Sequence, residues 1–163
     1  AHCPVSNMKL SSGIARIPEM LELGVPVGLA VDGSASNDGS NLLEEIRVAY
    51  LLHRLNSSSR APSGYEILKM ATSASVLGWK ELGQLAVGMA GDFFAVSLDR
   101  LELVGGQYDP KSLLGCIGVK GAVDYTVVGG RIVVEQGRLV SVDESAVAAQ
   151  ANSSVERLLN RES

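Results

Sequence analysis

The sequence has few of the residues that mark the more specialised classes of protein. Its 163 residues hold two cysteines, Cys3 and Cys116, too few for a disulfide framework or a four-thiolate zinc site, and in keeping with a reducing compartment. Aromatic residues make up 4% of the chain, and 14 Lys and Arg stand against 18 Asp and Glu. With no basic stripe and little to stack on bases, nucleic acid is not an expected partner. No apolar run approaches the roughly 20 residues of a membrane span, and no basic segment followed by a short apolar stretch opens the chain as a secretory signal would. A membrane partner is therefore not expected, and the cytoplasm is the expected location. Histidine is scarce too: His2 and His53 are the whole supply.

What remains is a chain 46% hydrophobic with a formal charge of −4, enough apolar matter for a folded core. It opens without Met on Ala1-His-Cys-Pro4, inside a motif-like stretch, as if continuing a longer polypeptide. Part of any active site is then expected outside it.

Residues 16–23 read as a short helix with Pro18 in its first turn and Gly24 as its stop. Val25 to Val31 follows as a near-continuous apolar run, the pattern of a strand covered on both faces in a parallel sheet. The polar loop 32–40 leads into a helix over 41–55, with Asn41 as cap, Glu44 and Glu45 favourable to the N-terminal dipole, and Leu42, Ile46, Ala49 and Tyr50 on its apolar face. Ser63-Gly-Tyr-Glu66 is a capping box that predicts a third helix running to Leu77, closed by Gly78. Beyond it, 93–97, 125–128, 131–135 and 138–142 are β-branched runs. Gly129-Gly130 and Gln136-Gly137 supply hairpin turns, and Asp143 caps a final helix carrying Val147, Ala151, Val155 and Leu158. The order implies an α/β part and a small, mostly β part, with the boundary near residues 78–88 and the two parts at 1–80 and 81–163.

Asp32 stands out chemically. A carboxylate at the C-terminal end of a buried strand, before a polar glycine-containing loop, occupies the place where α/β barrels carry catalytic groups. On spacing alone it reads equally well as a turn residue. The Asp32-x-Ser34-x-Ser36 pattern is not a calcium loop, because Asn37 and Leu43 replace the required Gly and Glu. Ser6-Asn-Met-Lys9 lacks the companion elements of penicillin-recognising enzymes. His53 reads as a surface residue of its helix, His2 as either a structural histidine or a substrate-positioning one, and both cysteines as buried and inert.

Ala1-His-Cys-Pro-Val-Ser-Asn7 and Gly28-Leu-Ala-Val-Asp-Gly-Ser-Ala-Ser-Asn37 resemble the strand-seven and strand-eight motifs of amidohydrolase-superfamily aminohydrolases, and among these the deaminases of 8-oxoguanine and of hydroxy-s-triazines. The resemblance continues through Ala71-Thr-x-x-Ala-x-x-Leu-Gly78, Gly88-Met-Ala-Gly-Asp92 and Val128-Gly-Gly-Arg-Ile-Val-Val134. It implies the C-terminal part of a TIM-type (β/α)8 metal-dependent hydrolase barrel plus half of a small β-sandwich. The implied reaction is hydrolytic deamination of a small aminated heterocycle, foremost an 8-oxoguanine-type purine, with a hydroxy-s-triazine as alternative, by a homo-oligomeric full-length protein. The implied cofactor is mononuclear zinc, or iron.

By the same resemblance Asp32 is a metal ligand and shuttles the catalytic proton. His2 and Asn7 are expected to touch the substrate edge or groups around the metal, and Ser34, Ser36 and Asn37 to shape the loop around Asp32. The family's His-x-His pair and its two further barrel histidines have no counterpart here. One carboxylate cannot hold a catalytic metal alone, so the chain by itself is expected to be inert, or to serve as an assembly module.

Overall fold

The computed structural model describes residues 1–160, except the side chains of Ser58 and Ser75. The chain divides into two compact units, Ala1–Ala90 with Ser97–Gly121, and Gly91–Val96 with Ala122 onward.

The first unit is helical, built around one short parallel pairing. Its helices are α1 (Pro4–Lys9), α2 (Ile17–Glu22), α3 (Leu42–Ser57), α4 (Gly64–Ala71) and α5 (Leu113–Cys116). Residues 4–9, given no element from the sequence, form a helix, and Pro4, at a position that needs no N–H donor, starts it. The strand expected over 25–31 narrows to a single parallel bridge between His2 and Leu29. The His2 amide donates to the Gly28 carbonyl at 2.8 Å, and Ala30 returns a bond to the His2 carbonyl at 2.9 Å. Leu29 donates instead to the carbonyl of Met70 at 3.0 Å, fixing the end of α4 beside the bridge.

That bond also bears on the third helix, which was expected to reach Leu77 and stops at Ala71. The Thr72 hydroxyl turns back onto the Leu68 carbonyl at 3.2 Å, and a 3-10 turn over Ala74–Leu77 takes up the remainder. Both cap predictions hold. Ser63 and Glu66 exchange the two bonds of a capping box, and the Asn41 carboxamide oxygen accepts from the Leu43 amide.

Ile17, Leu29, Ile46, Ala49, Leu52, Ile67, Met70, Leu103, Leu113 and Leu114 form the core of this unit. α4 meets α5 through glycine. A Cβ on Gly115 would lie 2.9 Å from the Gly64 Cα, and one on Gly64 would lie 2.9 Å from the Ser112 backbone. The Arg47 guanidinium then closes α5 by donating to the carbonyls of Gly115, at 2.8 Å, and Cys116. Cys116 was expected to be buried. It is exposed, because it falls at the helix end with its thiol against the Tyr50 hydroxyl at 3.1 Å.

The second unit is a four-stranded antiparallel meander, β1 (Phe93–Ala95), β2 (Tyr125–Val128), β3 (Arg131–Glu135) and β4 (Arg138–Leu139), followed by α6 (Glu144–Leu159). Gly129 and Gly130, then Gln136 and Gly137, adopt positive φ at the two turns, as two-residue hairpins require. Asp92 ties the first turn down by accepting the Gly129 amide at 2.6 Å. Asp143 caps α6 by accepting from Ala146 at 3.0 Å.

Candidate active site

Asp32 follows the bridged segment directly, and its backbone is left-handed, with φ +67°. Asp and Asn are the non-glycine residues that tolerate this region best. The conformation turns the carboxylate outward, where it is exposed, yet held on both oxygens. Oδ2 accepts the Ser6 hydroxyl at 2.5 Å and the Ser36 hydroxyl at 3.0 Å, while Oδ1 accepts the Gly33 amide at 2.8 Å. These three donors, Ser6 foremost, hold the carboxyl below its ordinary value, so it is ionised at neutral pH. Each carboxylate oxygen has two acceptor positions. Among the described residues both on Oδ2 are taken, and one on Oδ1 remains.

Lys9 fastens the 33–40 loop to α1 and Asn37 fastens it to α3, while Ser36 braces it from within. Ser36 reaches Asp32 and also the Gly33 carbonyl at 3.0 Å. Lys9, at the end of α1, donates to Ala35 O at 3.2 Å and to Asp38 at 2.5 Å. Asn37 is buried and donates its amide to Glu45 Oε1 at 2.5 Å, while its carboxamide oxygen accepts the Ser40 amide. Glu45 was read as an N-terminal residue favouring the helix dipole. It is fully buried, and its Oε2 accepts the Val5 amide at the start of α1 at 3.1 Å.

His2 faces α3. It is 3% exposed, and its Nε2 lies 3.0 Å from Nε2 of His53. The surface position expected for His53 is incorrect: it is 0% exposed. Helical spacing puts it in line with Ile46 and Ala49, at i+7 and i+4, and the partner ring makes burial of its polar edge tolerable. Burial first, then His53 and the N-terminal amine, pushes His2 down to about 4. Burial likewise lowers His53, with Glu19 opposing. The pair is therefore neutral at pH 7, one Nε2–H donating to the other ring. Nδ1 of each ring is buried without a hydrogen-bond partner.

Among the residues expected from sequence, Ser36 is brought to Asp32, and Asn37 is brought to Glu45. Asn7 lies on α1 one position beyond Ser6, and Ser34 is exposed in the turn. Ser6 was missed although it lies inside the Ala1–Asn7 motif, and that membership was the signal available for it. Cys3 is unsuited to nucleophilic work, because burial, then the Asp32 and Glu45 carboxylates, raise its thiol. Among the described residues, no group of three or more His, Cys, Asp and Glu is placed to hold a metal ion.

Sequence comparison fixes the class: residues 1–133 match the amidohydrolase family model. The chain belongs to the amidohydrolase family, whose solved members of TIM-barrel type share its fold. It is 44% identical over 164 residues to hydroxydechloroatrazine ethylaminohydrolase of Pseudomonas sp. (strain ADP), covering 98% of this chain and 34% of that protein. It is 41% identical to a 5-methylthioadenosine/S-adenosylhomocysteine deaminase of Pelotomaculum thermopropionicum, covering 99% and 38%. With 8-oxoguanine deaminase of Pseudomonas aeruginosa it shares 39%, over 97% and 35%.

Among solved structures, the zinc complex of the atrazine chlorohydrolase TrzN from Arthrobacter aurescens superposes with TM-score 0.87 at 36% identity, covering 93% and 34%. A zinc-bound adenosine deaminase from Xanthomonas campestris superposes with TM-score 0.89 at 27% identity, covering 98% and 37%. The chain thus spans about a third of the length of the relatives it matches.

Proposed function

We propose that this chain is the Asp32-bearing portion of a zinc-dependent aminohydrolase that removes ammonia from an aminated, oxo- or hydroxy-substituted nitrogen heterocycle, of the 8-oxoguanine or hydroxy-s-triazine kind. The observation that carries this reading is the Asp32 carboxylate: ionised, exposed, and held so that one acceptor position of Oδ1 is directed to nothing else in the described chain.

The donor chemistry fits a zinc ligand. Asp32 offers one anionic oxygen, and the remaining ligands would come from outside the described residues. When bound, zinc lowers the pKa of a water to about 7 and so supplies hydroxide at neutral pH. Asp32 would accept the proton of the attacking water and return it to the departing nitrogen, acting as general base and then general acid. Ser6 and Ser36 both donate to Oδ2. Their hydroxyls also fix the carboxylate's rotation, so that it need not reorient between the two transfers. Because one carboxylate cannot complete a catalytic zinc site, the 163-residue chain alone has no turnover.

Relatives acting on a hydroxylated triazine at 44% identity and on 8-oxoguanine at 39% support the oxo-substituted ring. The second reading, an adenosine-type substrate, is favoured by the deaminase at 41%. Release of ammonia, or of the alkylamine where the triazine amino group is alkylated, by the full-length protein from 8-oxoguanine, a hydroxy-s-triazine and 5-methylthioadenosine, compared by kcat/KM, decides between them. A preference for 5-methylthioadenosine would overturn the first reading. Asp32→Asn should abolish turnover on every substrate. Asn tolerates the left-handed backbone as Asp does, so the change removes charge and proton capacity without adding strain, and near-parental activity would refute the role of Asp32.

A further inference from the structure

We infer that Glu45 is the positioning residue of the Asp32 centre, gripping with its two carboxylate oxygens the two segments whose hydroxyls hold Asp32. One oxygen accepts the Val5 amide at the start of α1, and Ser6, the next residue, donates to Asp32. The other accepts Asn37, whose neighbour Ser36 also donates to Asp32. Glu45 is fully buried on α3, whose Ile46 and Ala49 lie in the core, so it ties both segments to a helix anchored in that core. A buried carboxylate is costly unless its oxygens are satisfied. Here each oxygen serves a different segment, which a purely apolar side chain cannot do. The Asn37 carboxamide is oriented in turn by the Ser40 amide, which fixes Asn37 as the donor toward Glu45. This inference rests on the assignment of Asp32 given above.

The network makes a sharp chemical prediction. In Glu45→Gln, one oxygen can still serve Val5, but the new amide then meets the Asn37 amide, donor against donor. In the double variant Asn37→Asp/Glu45→Gln the bond reverses direction: the Gln amide donates to the Asp carboxylate, whose second oxygen still accepts Ser40. Net charge and all three bonds are kept.

In the full-length enzyme, Glu45→Gln is expected to lower kcat roughly 10- to 100-fold with KM within about threefold, and to weaken zinc binding by the apo protein about tenfold in chelator competition. The double variant is expected to recover both to within about threefold of the parent. Should Glu45→Gln fail to fold, Asn37→Ala, which cuts only the loop arm, is expected to show the same kcat and zinc losses. A lowered melting temperature with parental kcat and zinc affinity in Glu45→Gln or Asn37→Ala would overturn the inference, as would a folded double variant no better than the single. Asp32→Asn run in parallel separates the two claims. If it is inactive while the Glu45 and Asn37 variants match the parent, positioning alone fails; if it retains activity, the assignment of Asp32 fails and takes this inference with it.

Discussion

At the scale of single residues, the proposed chemistry rests on how few groups Asp32 needs to stay ionised. Its carboxylate is exposed, so solvation already favours the charge, and the Ser6 bond, the first cause of its lowered pKa, adds to it. Ser6→Ala removes that donor. The Asp32 carboxyl then titrates at a higher pH, and because the proposal makes the base form the active one, the acid limb of the kcat/KM profile should move to higher pH. Ser36→Ala should move it less, since Ser36 ranks behind both Ser6 and the Gly33 amide. A pH–rate series on the two variants checks the order, and an unmoved limb in Ser6→Ala would contradict it. Sequence alone pointed to Asp32 through its place after an apolar run. It could not locate Glu45 or His53, because a charged or polar letter on a helix reads as solvent-facing unless its partner is known, and their partners lie 40 and 51 positions away. The helical period did point inward: Glu45, Ile46, Ala49, Leu52 and His53 share one face, and all five are buried.

At the scale of elements, α3 is joined to the first residues of the chain at two levels, through Glu45 to Val5 and through His53 to His2. The histidine pair makes this joint acid-sensitive. His2 titrates at about 4 in the folded chain against 6.5 for a free histidine, so between those values the unfolded chain binds the extra proton. The stability contributed by the neutral pair is complete above pH 6.5 and is lost as pH falls toward 4, by on the order of 1.4 kcal/mol per pH unit from His2. His53, also lowered by burial, acts in the same direction. Glu45, raised by burial against the opposing bonds of Val5 and Asn37, acts in the other. Urea midpoints of the full-length protein between pH 6.5 and 5 should therefore fall, and His2→Leu/His53→Leu should flatten that fall; an equal slope in parent and variant would dismiss the pair as its source. The elements most readable from sequence were those set by local chemistry. The two hairpin turns, the Ser63 box and the Asn41 and Asp143 caps need only neighbours in sequence. The strand at 25–31 was the least readable, because its apolar letters describe burial, whereas its hydrogen bonds depend on distant His2 and Met70.

At the scale of the whole molecule, both units carry surface that a self-sufficient domain would cover. In the first, the described parallel pairing is one bridge, so the backbone groups on its outer flanks have no ladder to join. In the second, β1 and β4 are open edges. Phe93, Phe94, Val128 and Ile132 are each 39% or more exposed, and every residue of α6 is exposed, Val155 and Leu158 by more than half. Apolar edge strands and an uncovered amphipathic helix are templates for association. The 163-residue chain produced alone should accordingly self-associate and bind an apolar dye such as anilinonaphthalene sulfonate. Light scattering coupled to size exclusion should give a mass above the monomer that rises with concentration. Val155→Lys/Leu158→Lys, on the exposed face of α6, should lower that mass and the dye signal without altering the far-ultraviolet circular dichroism, since neither side chain contributes to the core. A concentration-independent monomer with a sharp two-state melt and no dye binding would mean that these faces are closed in solution. The exposure of β1 to β4 and α6 would then not describe the free polypeptide.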